Sequence, residues 1–280
     1  MGDERVRRVH QLTHDGLTFD VVDEGPLDAE HTAVLLHGFP QTVASFADVA
    51  RQLREAGLRT LVPAQRGYSP GARPTRRSDY RIGAIAGDVV ALLDAAGVDR
   101  ANVVGHDWGG LAAWAVAGLH PGRVASLTVL STPHPSALAW SFTHSSQALR
   151  SWYLAFFQLP WLPERLLVPR LERQLRSTGV PAPLAAEYAR ALQEPGAMAG
   201  ALGWYRGMRA SRQDHIGHIS VPTTYAWGRR DFALGRAAAL RTRRYVDAAY
   251  LFVELDAGHW LPERYAGEVG ALVLDRVRSS

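Results

Sequence analysis

Short apolar runs alternate with helical patterns along most of this chain. Between most of the runs, apolar residues recur at the spacing of amphipathic helices. This alternation is typical of βα units on a mainly parallel sheet. The predicted strands span Thr32–Leu36, Thr60–Val62, Ala101–Val104, Val124–Leu130, Thr223–Trp227 and Tyr250–Leu255. The predicted helices span Val43–Ala56, Ile82–Ala96, Leu111–Leu119, Phe232–Tyr245 and Pro262–Val277.

Two further strands are predicted before these units, at Val6–Thr13 and Leu17–Val22. The pair Asp15-Gly16 separates them, and Asp-Gly is a strong signal for a tight hairpin turn. We therefore expect these two strands to be antiparallel.

The alternation breaks between Pro133 and Ile219, where aromatic-rich helical stretches are interrupted by prolines. We predict an α/β fold whose eight-stranded, mostly parallel sheet is flanked by helices, with a helical cap inserted after strand 6. The predicted core comprises residues 1–132 and 220–280. We call the predicted cap, residues 133–219, the lid.

Composition excludes several kinds of site. The chain has no cysteine, which removes disulfides, thiolate metal sites and cysteine nucleophiles. His215 and His218, with Asp214 beside them, superficially have the spacing of metal ligands, but there is no signal for a third strong ligand, so we predict no metal and no cofactor.

The basic residues do not indicate a nucleic-acid partner. All 31 are arginines, scattered along the chain, and the net charge is only +4. The N-terminal residues are polar, and no apolar run approaches the roughly 20 residues that span a bilayer. We expect a cytoplasmic protein without a membrane span, and leave open whether it is a monomer or a homodimer.

The segment Gly105-His106-Asp107-Trp108-Gly109 follows an apolar strand and opens a helix. It fits the pattern Gly-x-nucleophile-x-Gly, in which a sharp turn exposes the middle side chain at the carboxyl edge of the sheet. Here that residue is Asp107. An aspartate at this position could instead cap the helix, and His106 is interpreted as a packing residue.

Other loops that follow predicted strands would complete a catalytic site. His37-Gly38-Phe39-Pro40 lies where this fold forms an oxyanion hole, with the amides of Phe39 and Trp108 as donors. Asp231 and His259 each follow a late strand, and the order Asp107, Asp231, His259 is nucleophile, acid, base. Asp231 could alternatively cap the next helix, and His37 is interpreted as a loop-shaping residue.

Together these segments resemble the α/β-hydrolases, and in particular the soluble epoxide hydrolases. The lid stretches Ser151-Trp152-Tyr153-Leu154 and Gly203-Trp204-Tyr205-Arg206 are similar to the segments that carry that family's two ring-opening tyrosines. The resemblance therefore implies these roles for Tyr153 and Tyr205. Gln41-Thr42 departs from the pattern, since relatives often carry Glu-Ser there.

The resemblance implies an epoxide hydrolase that converts a small-molecule epoxide to a vicinal diol. Asp107 would form an alkyl-enzyme ester, and His259, oriented by Asp231, would activate the water that cleaves it. A haloalkane dehalogenase using the same triad and a non-catalytic ligand-binding protein are the alternatives. The expected apolar walls of the substrate pocket are Phe39, Trp108, Trp152 and Trp204.

Overall fold

The computed structural model describes residues 7–280. Its strands form one eight-stranded sheet in the order β1-β2-β4-β3-β5-β6-β7-β8. The pairs β1·β2 and β2·β4 are antiparallel, and the other five pairs are parallel, which confirms the predicted sheet. The strands are β1 (Gln11–His14), β2 (Leu17–Glu24), β3 (Thr32–Leu36), β4 (Arg59–Pro63), β5 (Ala101–His106), β6 (Val124–Leu130), β7 (Thr223–Gly228) and β8 (Tyr250–Leu255).

Helices cover both faces of the sheet, so the central strands are apolar on both sides. In β3, Val34 and Leu36 join one core cluster while Ala33 and Leu35 join another, as the alternation of side chains along a strand requires. The covering helices are α1 (Ala47–Glu55), α2 (Ile82–Ala96), α3 (Trp108–Leu119), α11 (Arg236–Arg241), α12 (Leu261–Arg264) and α13 (Ala266–Arg278).

The chain between β6 and β7 is helical and forms a third apolar cluster with the loops at the carboxyl edge of the sheet. Phe39, Tyr68 and Trp260 are among the residues that those loops contribute to this cluster. The helices of this segment are α4 (Pro135–His144), α5 (Gln147–Arg150), α6 (Tyr153–Phe156), α7 (Leu162–Leu167), α8 (Leu171–Ser177), α9 (Ala182–Gln193) and α10 (Ala197–Gly207).

Helix α10 is held directly against the core. The indole Nε1 of Trp204 donates a hydrogen bond to the carbonyl of Arg66 at 2.5 Å. Gly67 and Gly200 approach so closely that a β-carbon on Gly67 would lie 2.5 Å from the carbonyl oxygen of Gly200. Gly203 similarly leaves room for the ring of Tyr80. The sequence of α10 is therefore adapted to close backbone contact.

Several predicted boundaries differ from the structure. Residue 6, where the first predicted strand begins, lies outside the described residues, and β1 starts only at Gln11. The hairpin turn is confirmed, with positive φ at Asp15 (50°) and Gly16 (73°). Helix α3 begins at Trp108, three residues before its predicted start. Residues 232–235 form a loop before α11, and the last predicted helix is divided into α12 and α13.

Candidate active site

Asp107 occupies the turn between β5 and α3 with a φ of 53° and a ψ of −121°, a conformation that L-residues rarely adopt. A β-carbon on Gly105 would overlap the carbonyl of Gly109, and one on Gly109 would overlap that of Leu36, so only glycine fits at either position. The Asp107 side chain makes no capping hydrogen bond to α3. The capping interpretation of Asp107 is therefore wrong.

The Asp107 carboxylate faces two of the predicted partners. Its Oδ1 accepts a hydrogen bond from the Phe39 N–H at 2.8 Å, and its Oδ2 lies 3.6 Å from Nε2 of His259. Trp108 is the first residue of α3, so its N–H has no acceptor within the helix. Burial alone would raise the pKa of Asp107, but the hydrogen bond and charge of His259 hold that pKa below its ordinary value.

His259 is positioned by Asp231, which carries out two tasks at once. Oδ2 of Asp231 lies 2.8 Å from Nδ1 of His259. Its Oδ1 accepts from the N–H groups of Ala233 and Leu234, which lie in the loop before α11. That helix begins at Arg236 with Gly235 as its N-cap and no side-chain cap, so the interpretation of Asp231 as a helix cap is wrong. Burial lowers the pKa of His259, but the charge of Asp231 and hydrogen bonds to Asp107 and Asp231 outweigh this and raise it to about 10.

The two tyrosines of the predicted lid face the same space as the carboxylate of Asp107. Tyr153 lies on α6 and Tyr205 on α10, and their ring centroids are 6.2 Å apart. Both line one cavity with Asp107 and His259. Burial and the negative charge of Asp107 raise the pKa of each phenol above its ordinary value, so both hydroxyls are protonated at neutral pH.

This cavity has a volume of about 480 Å³ and lies between the carboxyl edge of the sheet and the helices that follow β6. Its wall is largely apolar, as in most small-molecule sites. Of the four expected wall residues, Phe39 and Trp152 line it. The other lining side chains include Leu149, Phe156, Phe157, Leu167, Leu171, Leu175, Phe232 and Trp260.

Two of the expected wall residues do not line the cavity. The ring of Trp108 packs edge-on against Tyr205, with centroids 4.8 Å apart, and so lies outside the lining. Trp204 is buried against the core, where its indole binds the Arg66 carbonyl. Their assignment as pocket walls is corrected accordingly.

The sequence reasoning missed several residues of the site. The ring of Phe232 lies 5.4 Å from that of His259, and Trp260 lines the cavity beside it. Each directly follows a predicted catalytic residue, which is the signal that could have indicated them. Glu263, whose carboxyl binds the side chain of Gln41, was also missed.

The potential metal ligands bind other groups. Asp214 accepts from the Gly83 N–H and pairs with Arg81, while His218 pairs with Asp247. Within residues 7–280, no three His, Cys, Asp or Glu side chains are grouped so as to hold a metal ion.

None of the helices in the described part of the chain has both the length and the apolar character needed to cross a bilayer.

Known proteins resemble this chain over nearly its whole length. The model of the alpha/beta hydrolase fold family matches residues 34–263. The AB hydrolase superfamily protein YfhM of Bacillus subtilis is 32% identical over 95% of this chain and 96% of its own length. Epoxide hydrolase A of Mycobacterium tuberculosis is 31% identical, covering 93% of this chain and 94% of that protein.

The crystal structure of epoxide hydrolase A from Mycobacterium thermoresistibile superimposes with a TM-score of 0.85. It covers 96% of this chain and 97% of its own, at 26% sequence identity. Both the sequence and the three-dimensional comparisons thus extend through the helices between β6 and β7. The chain belongs to the alpha/beta hydrolase fold family, and its relatives in that family include epoxide hydrolases.

Proposed function

We propose that this protein is an epoxide hydrolase that opens its substrate through a covalent ester on Asp107. The observation that carries the proposal is that one ionised carboxylate and two protonated phenols line the same apolar cavity. Similarity to proteins named epoxide hydrolases supports the same reaction. Residues 133–219 act in this proposal as a lid on a core of residues 1–132 and 220–280.

In the first half-reaction, Oδ2 of Asp107 attacks a ring carbon of the epoxide. The other carboxylate oxygen, Oδ1, is held by the Phe39 N–H, which leaves Oδ2 as the nucleophile. The carbon–oxygen bond of the ring breaks, and the oxygen takes a proton from Tyr153 or Tyr205. Because the charge of Asp107 contributes to the raised pKa of both phenols, they become more acidic as the ester forms and that charge disappears.

The ester also changes the state of His259. Its pKa is raised in part by Asp107, so a neutral ester at that position lowers the pKa again. His259 then transfers its proton to the tyrosinate, which restores the phenol and leaves a neutral imidazole. His259 therefore becomes a base only after the ester has formed.

In the second half-reaction, His259 deprotonates a water that attacks Cγ of the Asp107 ester. Negative charge develops on Oδ1, where the N–H groups of Phe39 and Trp108 stabilise it. The bond between Cγ and Oδ2 breaks, and Oδ2 leaves as a hydroxyl oxygen of the diol after taking the proton from His259. The carboxylic acid left on Asp107, which now contains the oxygen of the water, passes its proton to His259, so the carboxylate and the protonated imidazole are both regenerated. The overall reaction consumes one epoxide and one water and produces one diol.

Single-turnover hydrolysis in oxygen-18 water, with enzyme in excess, tests this mechanism. We expect the label to enter the Asp107 carboxylate while the first diol remains unlabelled. Diol that carries the label from the first turnover would rule out the ester. Asp107→Asn should abolish turnover. If it lowers the rate no more than the exposed control Asp48→Asn does, Asp107 is excluded as the nucleophile.

A further inference from the structure

A carboxyl group that the mechanism above does not use lies four residues after His259. Glu263 is on α12, and its Oε1 accepts hydrogen bonds from Nε2 of Gln41 at 2.6 Å and from the hydroxyl of Tyr188 at 3.2 Å. Its Oε2 is closed off from solvent and has no hydrogen-bond partner among the described residues. A carboxyl enclosed in this way is costly to bury, so its contacts with Gln41 and Tyr188 require an explanation.

The other end of the Gln41 side chain reaches the loop that carries the oxyanion donor. Oε1 of Gln41 accepts a hydrogen bond from the N–H of Gly38 at 2.5 Å. The next residue is Phe39, whose N–H donates to Oδ1 of Asp107 at 2.8 Å. The Gln41 amide thus fixes the peptide that precedes the proposed oxyanion donor.

This loop has little freedom to lie anywhere else. A β-carbon on Gly38 would come within 2.6 Å of Oδ1 of Asp107, so the backbone passes directly over the carboxylate. At such a distance, a small shift of the loop changes the hydrogen bond from Phe39 to Asp107 substantially. The orientation of the Gln41 amide therefore determines how well that donor is directed.

The same amide is linked to the catalytic base. Nδ1 of His106 lies 3.0 Å from Oε1 of Gln41, and Nε2 of His106 lies 2.9 Å from the carbonyl oxygen of His259. His106 is fully buried, and both ring nitrogens face oxygen atoms. Burial lowers the pKa of His106 to about 4, so its neutral ring donates through only one of these nitrogens. The hydrogen-bonded chain from Glu263 runs through Gln41 to the N–H of Gly38, and His106 lies between Gln41 and the backbone carbonyl of His259.

We propose that Glu263 is a positioning residue for the second half-reaction: through the side-chain amide of Gln41 it orients the Phe39 N–H toward the oxygen that becomes negative. This inference rests on the proposed function. The side-chain amide of Gln41 has a carbonyl oxygen on one side and an NH₂ group on the other. Its oxygen can face the N–H of Gly38 only if an acceptor faces its NH₂ group. Glu263 supplies that acceptor from a position 222 residues away in sequence.

Glu263→Leu tests the proposal by rapid-quench kinetics under single-turnover conditions, with ester formation and ester hydrolysis measured separately. We expect the ester to form at close to the wild-type rate and its hydrolysis to slow about 10-fold to 100-fold. Misplacing an oxyanion donor lowers the rate by no more than removing that donor does. The ester should therefore accumulate. Glu268→Leu, at an exposed glutamate of α13, is the matched control and should behave as wild type.

Two further variants separate positioning from a purely structural role. Gln41→Leu removes the same link from its other end, and it should reproduce the accumulation of ester even if the Glu263→Leu protein does not fold. The exchange variant Gln41→Glu/Glu263→Gln reverses this hydrogen bond: the amide at 263 donates to the carboxylate at 41, whose other oxygen still accepts from Gly38, so ester hydrolysis should recover. Recovery of the hydrolysis rate would not follow from a general loss of stability.

Equal slowing of both half-reactions, or unchanged kinetics with a lower melting temperature, would overturn the positioning role. Persistent accumulation in the exchange variant would overturn it as well. A wild-type enzyme that forms no ester would instead refute the proposed function, and with it this inference. The two failures are therefore distinguishable within one experiment.

Discussion

Nε2 of His259 lies 3.6 Å from Oδ2 of Asp107, so the proposed base and the proposed nucleophile face each other directly. Asp231 holds the opposite nitrogen of the ring at 2.8 Å. Two carboxylates thus flank one imidazole, and the resting site is stabilised as an ion pair. This arrangement makes the stability of the protein depend on pH in a direction that can be measured.

The pKa of His259 is raised from 6.5 to about 10, so folding favours its protonated form. The resulting stability is fully present below pH 6.5 and is lost as the pH rises toward about 10. We expect the melting temperature of the wild type to fall over this range, and that of Asp107→Asn to fall less steeply. Asp48→Asn, at an exposed position, is the control. Parallel slopes for wild type and Asp107→Asn would contradict the ion pair.

We expect Tyr153 and Tyr205 to accelerate only a reaction whose leaving oxygen needs a proton. Tyr153→Phe and Tyr205→Phe should each slow epoxide opening, and the double variant should lose about 10²-fold to 10⁴-fold, the usual contribution of a general acid. Steady-state and single-turnover rates with the same epoxide would measure this. Tyr265→Phe, whose hydroxyl donates to the Asp256 carbonyl, is the control outside the cavity.

The same variants distinguish the alternative of haloalkane dehalogenation. A departing halide needs no proton, so dehalogenation would survive the loss of both phenols. Retention of epoxide opening in the double variant would exclude the tyrosines as acids. Turnover of a haloalkane by wild type and double variant alike would favour the dehalogenase instead.

Substrate size should be limited by the apolar side chains that α8 directs into the cavity. Leu175 is buried and lines the cavity, so Leu175→Trp should occupy part of it. We expect kcat/KM to fall more for a bulky apolar epoxide than for a small one. Leu166→Trp, at an exposed position of α7, should leave the ratio of the two values unchanged. An equal fall for both epoxides would mean that Leu175 does not limit size.

The contact between α10 and Tyr80 makes a prediction about stability. A β-carbon on Gly203 would overlap the ring of Tyr80, so Gly203→Ala should destabilise the protein by about 1–3 kcal/mol, a typical cost of overpacking. Gly267→Ala is the matched control, because Gly267 also lies in a helix but no atom would come within 4 Å of the added β-carbon. Urea unfolding would measure both. A Gly203→Ala protein as stable as its control would show that α10 can move away from Tyr80.

Much of the fold followed from the sequence because each strand and helix leaves a local pattern. The runs Thr32–Leu36 and Val124–Leu130 are strands with the predicted bounds. The catalytic candidates were also predictable, since Asp107, Asp231 and His259 each follow a strand and must meet at one edge of the sheet. Their roles, the bounds of the lid and a cytoplasmic location stay predictions.

The rest depended on side-chain directions that no local pattern records. Trp204 and Tyr205 are adjacent on one helix, yet the first faces the core and the second faces the cavity. Gln41 and Glu263 are separated by most of the chain, and no local pattern indicates that their side chains meet. Only the folded backbone brings such residues together.

The attachment of α10 to the core has a consequence for how this enzyme could be re-engineered. Tyr205 is carried by a helix held through Gly67, Tyr80 and the Arg66 carbonyl, and so it stays in place when neighbouring segments are redesigned. The stretch from Gln147 to Leu167 contributes Leu149, Trp152, Phe156 and Leu167 to the cavity wall. A mutant library confined to that stretch should change which molecules are accepted while Tyr205, one of the two proposed proton donors, remains fixed.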